Sequence, residues 1–114
     1  MFTRIVETTA RPGKTEELCK VITENVLPIL KRQGGFQDEI VLVSNTEPHR
    51  LITLSFWNAR EDAEHYNRET YPKITEMIRN LCEGEPTVRT FDVETSTAHN
   101  IAFGIVSVKV KEAA

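Results

Sequence analysis

A chain of 114 residues with 14 basic and 17 acidic side chains, a formal charge of −3 and a pI near 5.6 lacks the basic footprint of a nucleic-acid binder. Its 39% hydrophobic and 27% charged residues are ordinary for a soluble globular chain, and the length suits one domain over residues 1–114. No apolar run approaches the roughly 18 residues of a membrane span, and the start MFTRIVETTARPGK has no signal-peptide h-region, so a cytoplasmic protein is expected.

Residues 2–9, FTRIVETT, alternate Phe2, Arg4, Val6 and Thr8 with Thr3, Ile5, Glu7 and Thr9, which predicts a first strand. The turn ARPGK leads into a first helix from about Lys14 to Gln33. There Leu18, Ile22, Val26, Ile29 and Leu30 share a face, and Pro28 predicts a kink or short break near Val26. Gly34-Gly35 ends this helix. Residues 36–44, FQDEIVLVS, and 51–57, LITLSFW, read as two strands joined by a hairpin-type loop. Asn58 with Glu61 resembles a capping arrangement for a second helix over 59–69. Pro72 suits the first turn of a third helix, whose stripe Ile74, Met77, Ile78 and Leu81 stops at Gly84. A fourth strand covers about 86–95 and a last one 101–110. Cys19 and Cys82 fall inside helical patterns without a short spacing, so reduced, packed thiols are expected rather than a redox pair or zinc site.

The order is β-α-β-β-α-β plus a C-terminal strand, an α+β ferredoxin-like arrangement. Ile40 to Val43 are four consecutive apolar residues, and IAFGIV at 101–106 is nearly continuous. Such runs predict burial on both faces, whereas the two helical layers cover only one. A second copy of the chain is the simplest cover, so a homodimer packed sheet to sheet is expected.

The segments ARPGKTEEL at 10–18, QGGFQDEIVLV at 33–43 and LSFWNAREDAEHYNRETYP at 54–72, in this order and spacing, resemble the antibiotic biosynthesis monooxygenase superfamily of dimeric α/β barrels. They are similar to that family's PGK helix start, its PGF strand start and its tryptophan-containing strand-to-helix junction, and the resemblance spans roughly residues 1–95. It implies a scaffold that holds several chemistries, among them heme degradation and the cofactor-independent oxidation of aromatic polyketides and quinols. The heme degraders use an asparagine on strand one, a tryptophan on helix two and a histidine ligand on helix three. Glu7, Tyr66 and about Glu76 stand at those positions here, and a glutamate does not replace a neutral imidazole on heme iron. The polyketide oxygenases place an aromatic on helix two with a polar residue one turn before it. The resemblance puts Tyr66 and Asp62 in those roles, with Tyr71 near a further family tyrosine.

The catalytic candidates are therefore Glu7, Tyr66 and Tyr71. Glu7 shares the Ile5 face of strand one; if that face meets the helices, its desolvated carboxylate suits a general base, and the plain alternative is a salt bridge to an arginine. Tyr66 lies one turn after Asp62 and Ala63, so it can point at the sheet, where it either packs or lines a pocket. Tyr71, before Pro72, is expected to be extended at the corner between two helices. The substrate-binding candidates are Trp57, Asp62, His65, Ile74, Met77, Ile78 and His99. Trp57 shares the face of Leu51, Thr53 and Ser55, and its indole is a donor. Ile74, Met77 and Ile78 would form the apolar flank of a pocket, and His99, in STAHN, would reach the pocket or the partner subunit. His65 and Glu69 form an i, i+4 pair, but three scattered histidines lack metal spacing, so a solvated helix face and no metal are expected.

No GxGxxG, P-loop or nucleophile motif occurs, so no cofactor is expected. A cofactor-free oxygenase needs an apolar pocket, a base that creates an electron-rich anion, and hydrogen bonds to hold it. The expected function is a cofactor-independent monooxygenase acting on a small hydrophobic, aromatic or quinol-like molecule. The alternative is a non-catalytic small-molecule-binding dimer on the same scaffold.

Overall fold

The structure, a computed structural model, describes residues 1–101. Its elements are β1 (Phe2–Thr9), α1 (Thr15–Val21), a π-helical turn (Ile22–Val26), α2 (Leu27–Lys31), β2 (Phe36–Val43), β3 (Arg50–Trp57), α3 (Arg60–Glu69), α4 (Tyr71–Ile78) with a 3₁₀ turn (Arg79–Leu81), and β4 (Thr87–Asp92). The strands form one antiparallel sheet in the order β2-β3-β1-β4, open in the single chain, with the helices on one face. This is the expected ferredoxin-like α+β arrangement. The strand expected over 101–110 lies outside the described residues beyond Ile101, which pairs with Ser96 in an isolated bridge.

The break expected near Val26 is a π turn, and Pro28 explains it. Proline has no N–H and its ring crowds the carbonyl four residues earlier, that of Glu24. The backbone accommodates this by widening one turn, and the Leu27 N–H donates to the Ile22 carbonyl, five residues back. Two expectations at the second helical layer need correction. Ala59, not Asn58, is the N-cap residue of α3, with no side-chain cap bond. Tyr71 is not extended: it opens α4 directly after Thr70, with Pro72 in the first turn where a missing donor costs nothing.

Strand register decides which residues meet the helices. Cα partners on neighbouring strands share a face, so the inner rows run Phe36–Trp57–Phe2, Glu39–Ser55–Arg4, Val41–Thr53–Val6 and Val43–Leu51–Thr8. The outer rows run Asp38–Phe56–Thr3, Ile40–Leu54–Ile5 and Leu42–Ile52–Glu7. Against the inner face, one apolar cluster gathers around Trp57 with Phe2, Val26, Leu30, Tyr66 and Ile74. A second gathers Leu18, Ile22, Leu51, Ile78 and Leu81. Cys82 is buried in the second cluster and Cys19 packs against it, both as free thiols. On the outer face Ile40, Leu42 and Phe91 remain 40%, 47% and 48% exposed in the single chain.

Candidate functional site

Between the two apolar clusters the helices leave a cavity of about 50 Å³ against the middle of the sheet. Its floor is Arg4, Val6 and Thr8 of β1, Glu39 of β2, and Thr53 and Ser55 of β3. Ile22, Val26 and Leu30 of the kinked first helix wall one side, while Tyr66 of α3 and Tyr71, Ile74 and Ile78 of α4 close the other. Two wall residues, Ile22 and Val26, bound the π turn, so the irregularity imposed by Pro28 shapes the cavity.

The polar floor is a single cross-strand row, Glu39–Ser55–Arg4. Glu39 reaches it because of a bulge. The pairing of β2 with β3 jumps from Phe36↔Trp57 to Asp38↔Phe56, leaving Gln37 as an extra residue. Without that extra residue Asp38 would oppose Ser55; with it, Asp38 turns outward and Glu39 faces the cavity. Desolvation by burial, helped by the neighbouring negative charge of Asp38, raises the Glu39 pKa to about 7. A carboxyl poised there exchanges protons readily at neutral pH.

Arg4 is only 3% exposed. Its Nη2 donates to Asn67 Oδ1 at 2.8 Å, and its guanidinium lies 5.2 Å from the Tyr66 ring centroid and 4.4 Å from that of Tyr71. No carboxylate of the described residues lies within ion-pair distance of it. Burial draws its pKa down, and the two tyrosines oppose that shift. An arginine nevertheless stays charged in a protein. The floor therefore holds a cation whose counter-charge is not built in.

Above it runs an aromatic ladder. Phe36 meets Trp57 edge-on at 5.6 Å, Trp57 lies against Tyr66 at 5.1 Å with the rings tilted by 32°, and Tyr66 lies 6.1 Å from Tyr71. The fully buried Trp57 donates its indole N–H to Ser55 Oγ at 2.9 Å, fixing both the floor serine and the ring that backs Tyr66. Burial raises the pKa of both tyrosine hydroxyls against the pull of Arg4, so both stay protonated donors at neutral pH. The Tyr71 and Thr8 hydroxyls are buried without a protein partner in hydrogen-bond geometry, although the Arg4 guanidinium is near enough to the Tyr71 hydroxyl to oppose its upward shift. Two orphaned hydroxyls lining one cavity suit a polar ligand, because a buried unpaired hydroxyl costs about 1–3 kcal/mol.

Of the residues singled out in the sequence, Tyr66, Tyr71, Ile74 and Ile78 line the cavity. Trp57 stands directly behind Tyr66 instead of on the wall. Glu7 does not form the far wall. It lies on the outer face, where its carboxylate accepts from Arg50 Nη2 at 3.0 Å and Arg89 Nη2 at 2.8 Å, and Arg4, Val6 and Thr8 take the wall. Met77 is 42% exposed and points away from the cavity. The Asp62 carboxylate packs against the Cα of Gly35, which lies in the left-handed region at φ 82°, so a side chain at position 35 would displace it. His65 is exposed on α3. His99 is on the outer face, with its ring 4.7 Å from that of Phe56 and its Nε2 3.7 Å from Asp38. Among the described residues no group of three or more His, Cys, Asp and Glu side chains is arranged to hold a metal. Arg4 and Glu39 also line the cavity and are not among the residues singled out in the sequence; Arg4 alternates with Phe2 and Val6, and Glu39 with Val41.

The sequence profile of antibiotic biosynthesis monooxygenases matches residues 1–75. The chain belongs to this family. Among solved structures, the family member resembles SnoaB, a cofactor-independent oxygenase from Streptomyces nogalater, with a TM-score of 0.69 and 16% identity over 83% of this chain and 94% of that one. NE2512, a protein of unknown function from Nitrosomonas europaea, gives a TM-score of 0.70 at 14% identity over 83% and 90% of the two chains. SO0527 from Shewanella oneidensis gives 0.66 at 18% identity over 79% and 87%. At these identities the likeness is one of fold. No curated protein sequence matches the chain.

Proposed function

We propose that this chain is a cofactor-independent oxygenase of a small aromatic or quinol-like molecule, working as a homodimer. The observation that carries the reading is the polar row of the cavity floor, which sets a near-neutral carboxyl, Glu39, and a buried cation, Arg4, on either side of Ser55. The Glu39 carboxylate removes a proton from an activated phenolic O–H or ring-bound C–H. Arg4 and the Tyr66 and Tyr71 hydroxyls hold the resulting anion, stabilising charge where it develops. Such an anion is electron-rich enough to give an electron to dioxygen. For a doubly benzylic CH₂, collapse of the resulting pair forms a C–O bond, and the hydroperoxide then loses water to leave a ketone. One oxygen atom ends in the product, the other in water, and the four electrons come from the substrate carbon.

The family membership and the likeness to SnoaB support this reading. The exposed Ile40, Leu42 and Phe91 on the outer face support a second copy as its cover. Oxygen uptake from metal-free buffer with a dihydroxyanthrone tests it: a protein-dependent rate above autoxidation is expected, and none with any anthrone or quinol counts against it. The orphaned hydroxyls of Thr8 and Tyr71 equally favour a non-catalytic ligand-binding dimer, and saturable binding without oxygen uptake selects that reading.

A further inference from the structure

The cavity described above is too small for the ligand it is meant to hold. Its 50 Å³ compares with about 150 Å³ for a protein cavity that accepts benzene. A second cavity of about 220 Å³ lies beside it, between α3 and the inner face of β4, lined by Phe2, Arg60, Ala63, Asn67, Val88 and Thr90 among others. Arg4 lines both cavities. Its side chain is the shared wall.

That wall is held lightly for a buried cation. Among the described residues its hydrogen bond to Asn67 and its place over two tyrosine rings are not joined by any carboxylate. A guanidinium prefers a planar, two-oxygen anion, which it binds through two parallel N–H bonds. Asn67 also lines the β4-side cavity, so the bond that holds Arg4 in place is reachable from that side. Arg60 on its lining adds a second positive charge, 5.5 Å from the Phe2 ring centroid and 3.9 Å from the Asp92 carboxylate, and Glu64 adds a negative one. Phe2, Ala63 and Val88 make the apolar part of the lining of the β4-side cavity.

We propose that the two cavities meet at Arg4 in one site for a one- or two-ring aromatic monoanion, whose acidic oxygens pair with Arg4 while its rings occupy the β4-side cavity. The inference rests on the ligand-binding half of the proposed function and does not require turnover. It makes Arg4 the residue that selects acids over neutral aromatics of the same shape. It also makes β4 and α3 the side from which the ligand enters.

Calorimetric titration of the full chain with 2-naphthoate and with 2-naphthylmethanol tests this directly. Naphthoate is expected to bind at least about tenfold more tightly than the alcohol, the margin of a charge-assisted pair over a neutral one. Arg4→Gln should erase that preference. Val88→Trp, on a partly exposed β4 residue that lines the same cavity without pairing with Arg4 across the strands, should fill the β4-side cavity and weaken naphthoate at least about tenfold. Equal binding of acid and alcohol overturns the proposal, as does naphthoate binding that survives both substitutions or no binding of either compound. Oxygen uptake with neutral phenols and no preference for acids would leave the oxygenase reading standing and sink this one alone.

Discussion

Arg4 and Glu39 stand on either side of Ser55 in one row across the sheet, a cation and a titrating carboxyl facing the same cavity. At a strand spacing of about 4.8 Å their Cα atoms are roughly 10 Å apart, room for one small group between the two side chains. Neither residue carries an ion pair within 4 Å among the described residues, so the folded protein holds two partly buried charges in readiness rather than in a closed bridge. That arrangement stabilises a ligand more than it stabilises the fold.

Glu39 should make the protein less stable as pH rises. Its folded pKa of about 7 lies above the ordinary 4.5, so the folded chain binds more protons than the unfolded one between those values. Stability is highest below pH 4.5 for this group and falls as pH climbs through 7. Glu39→Gln removes the penalty. After discounting for the part of Glu39 that water reaches, the variant should gain on the order of 1 kcal/mol over the parent at pH 8, roughly 4–8 °C in Tm, and nothing at pH 4. Thermal melts at the two pH values check the sign; a variant that loses stability at pH 8 contradicts it.

Tyr66→Phe keeps the ring against Trp57 and removes the hydroxyl from the cavity. Stability should change by only about 1 kcal/mol, because the hydroxyl is one hydrogen-bonding group among many. Oxygen uptake should fall, because the donor that holds the developing anion is gone. A variant with parental rate and parental Tm would assign Tyr66 to packing.

Much of this fold is legible in the sequence, but the face of each strand that meets the helices is not. The strand and helix order follows from periodicity and from Pro12, Gly13, Gly34, Gly35, Pro72 and Gly84. On β1 both alternating sets carry one large apolar residue, a β-branched residue and a charge, so composition does not say which set faces the helices. Pairing decides it: Phe2 lies opposite Trp57, and a one-residue shift of face exchanges Glu7 for Arg4. Glu39 was hidden for a related reason. Simple alternation from Phe36 places Asp38 on its face, and only the bulge at Gln37 hands that place to Glu39. Residue type and approximate position single out His99 and Met77, and neither reveals the direction of a side chain.

The outer face makes the dimer testable with two neighbouring residues. Leu42 points outward and is 47% exposed in the single chain, whereas Val41 points inward and packs against the second core cluster. Leu42→Asp should give a folded monomer by sedimentation and circular dichroism, since it charges only the sheet-to-sheet surface. Val41→Asp should unfold the chain, because an unpaired carboxylate would enter the core. A parent protein that sediments as a stable monomer would remove the second copy from the account.

Hemin should not bind as a ligated, degradable cofactor. The α4 position that carries the iron ligand in the resembling heme degraders is about Glu76, here exposed and paired with Arg79 at 2.9 Å. The cavity floor offers a guanidinium and a carboxyl instead of an imidazole. Hemin and a reductant added to the purified protein should leave the Soret band without a sharp shift. Loss of the porphyrin band in the presence of the protein alone would contradict the assignment.

The proposed base of the site is Glu39 on the inner face of the sheet, and not Glu7 on the outer one. The oxygen-uptake rate with a dihydroxyanthrone, compared between the parent, Glu39→Gln and Glu7→Gln at pH 7.5, tests it most directly. Glu39→Gln is expected to lower kcat/KM by roughly 10²–10⁴-fold, the usual contribution of a positioned general base, while its melting temperature does not fall. Glu7→Gln, at a carboxylate that pairs with Arg50 and Arg89 on the outer face, is expected to keep the rate within a few-fold of the parent, on the order of threefold or less. Parental turnover in Glu39→Gln, or a collapse confined to Glu7→Gln, would overturn the assignment of Glu39.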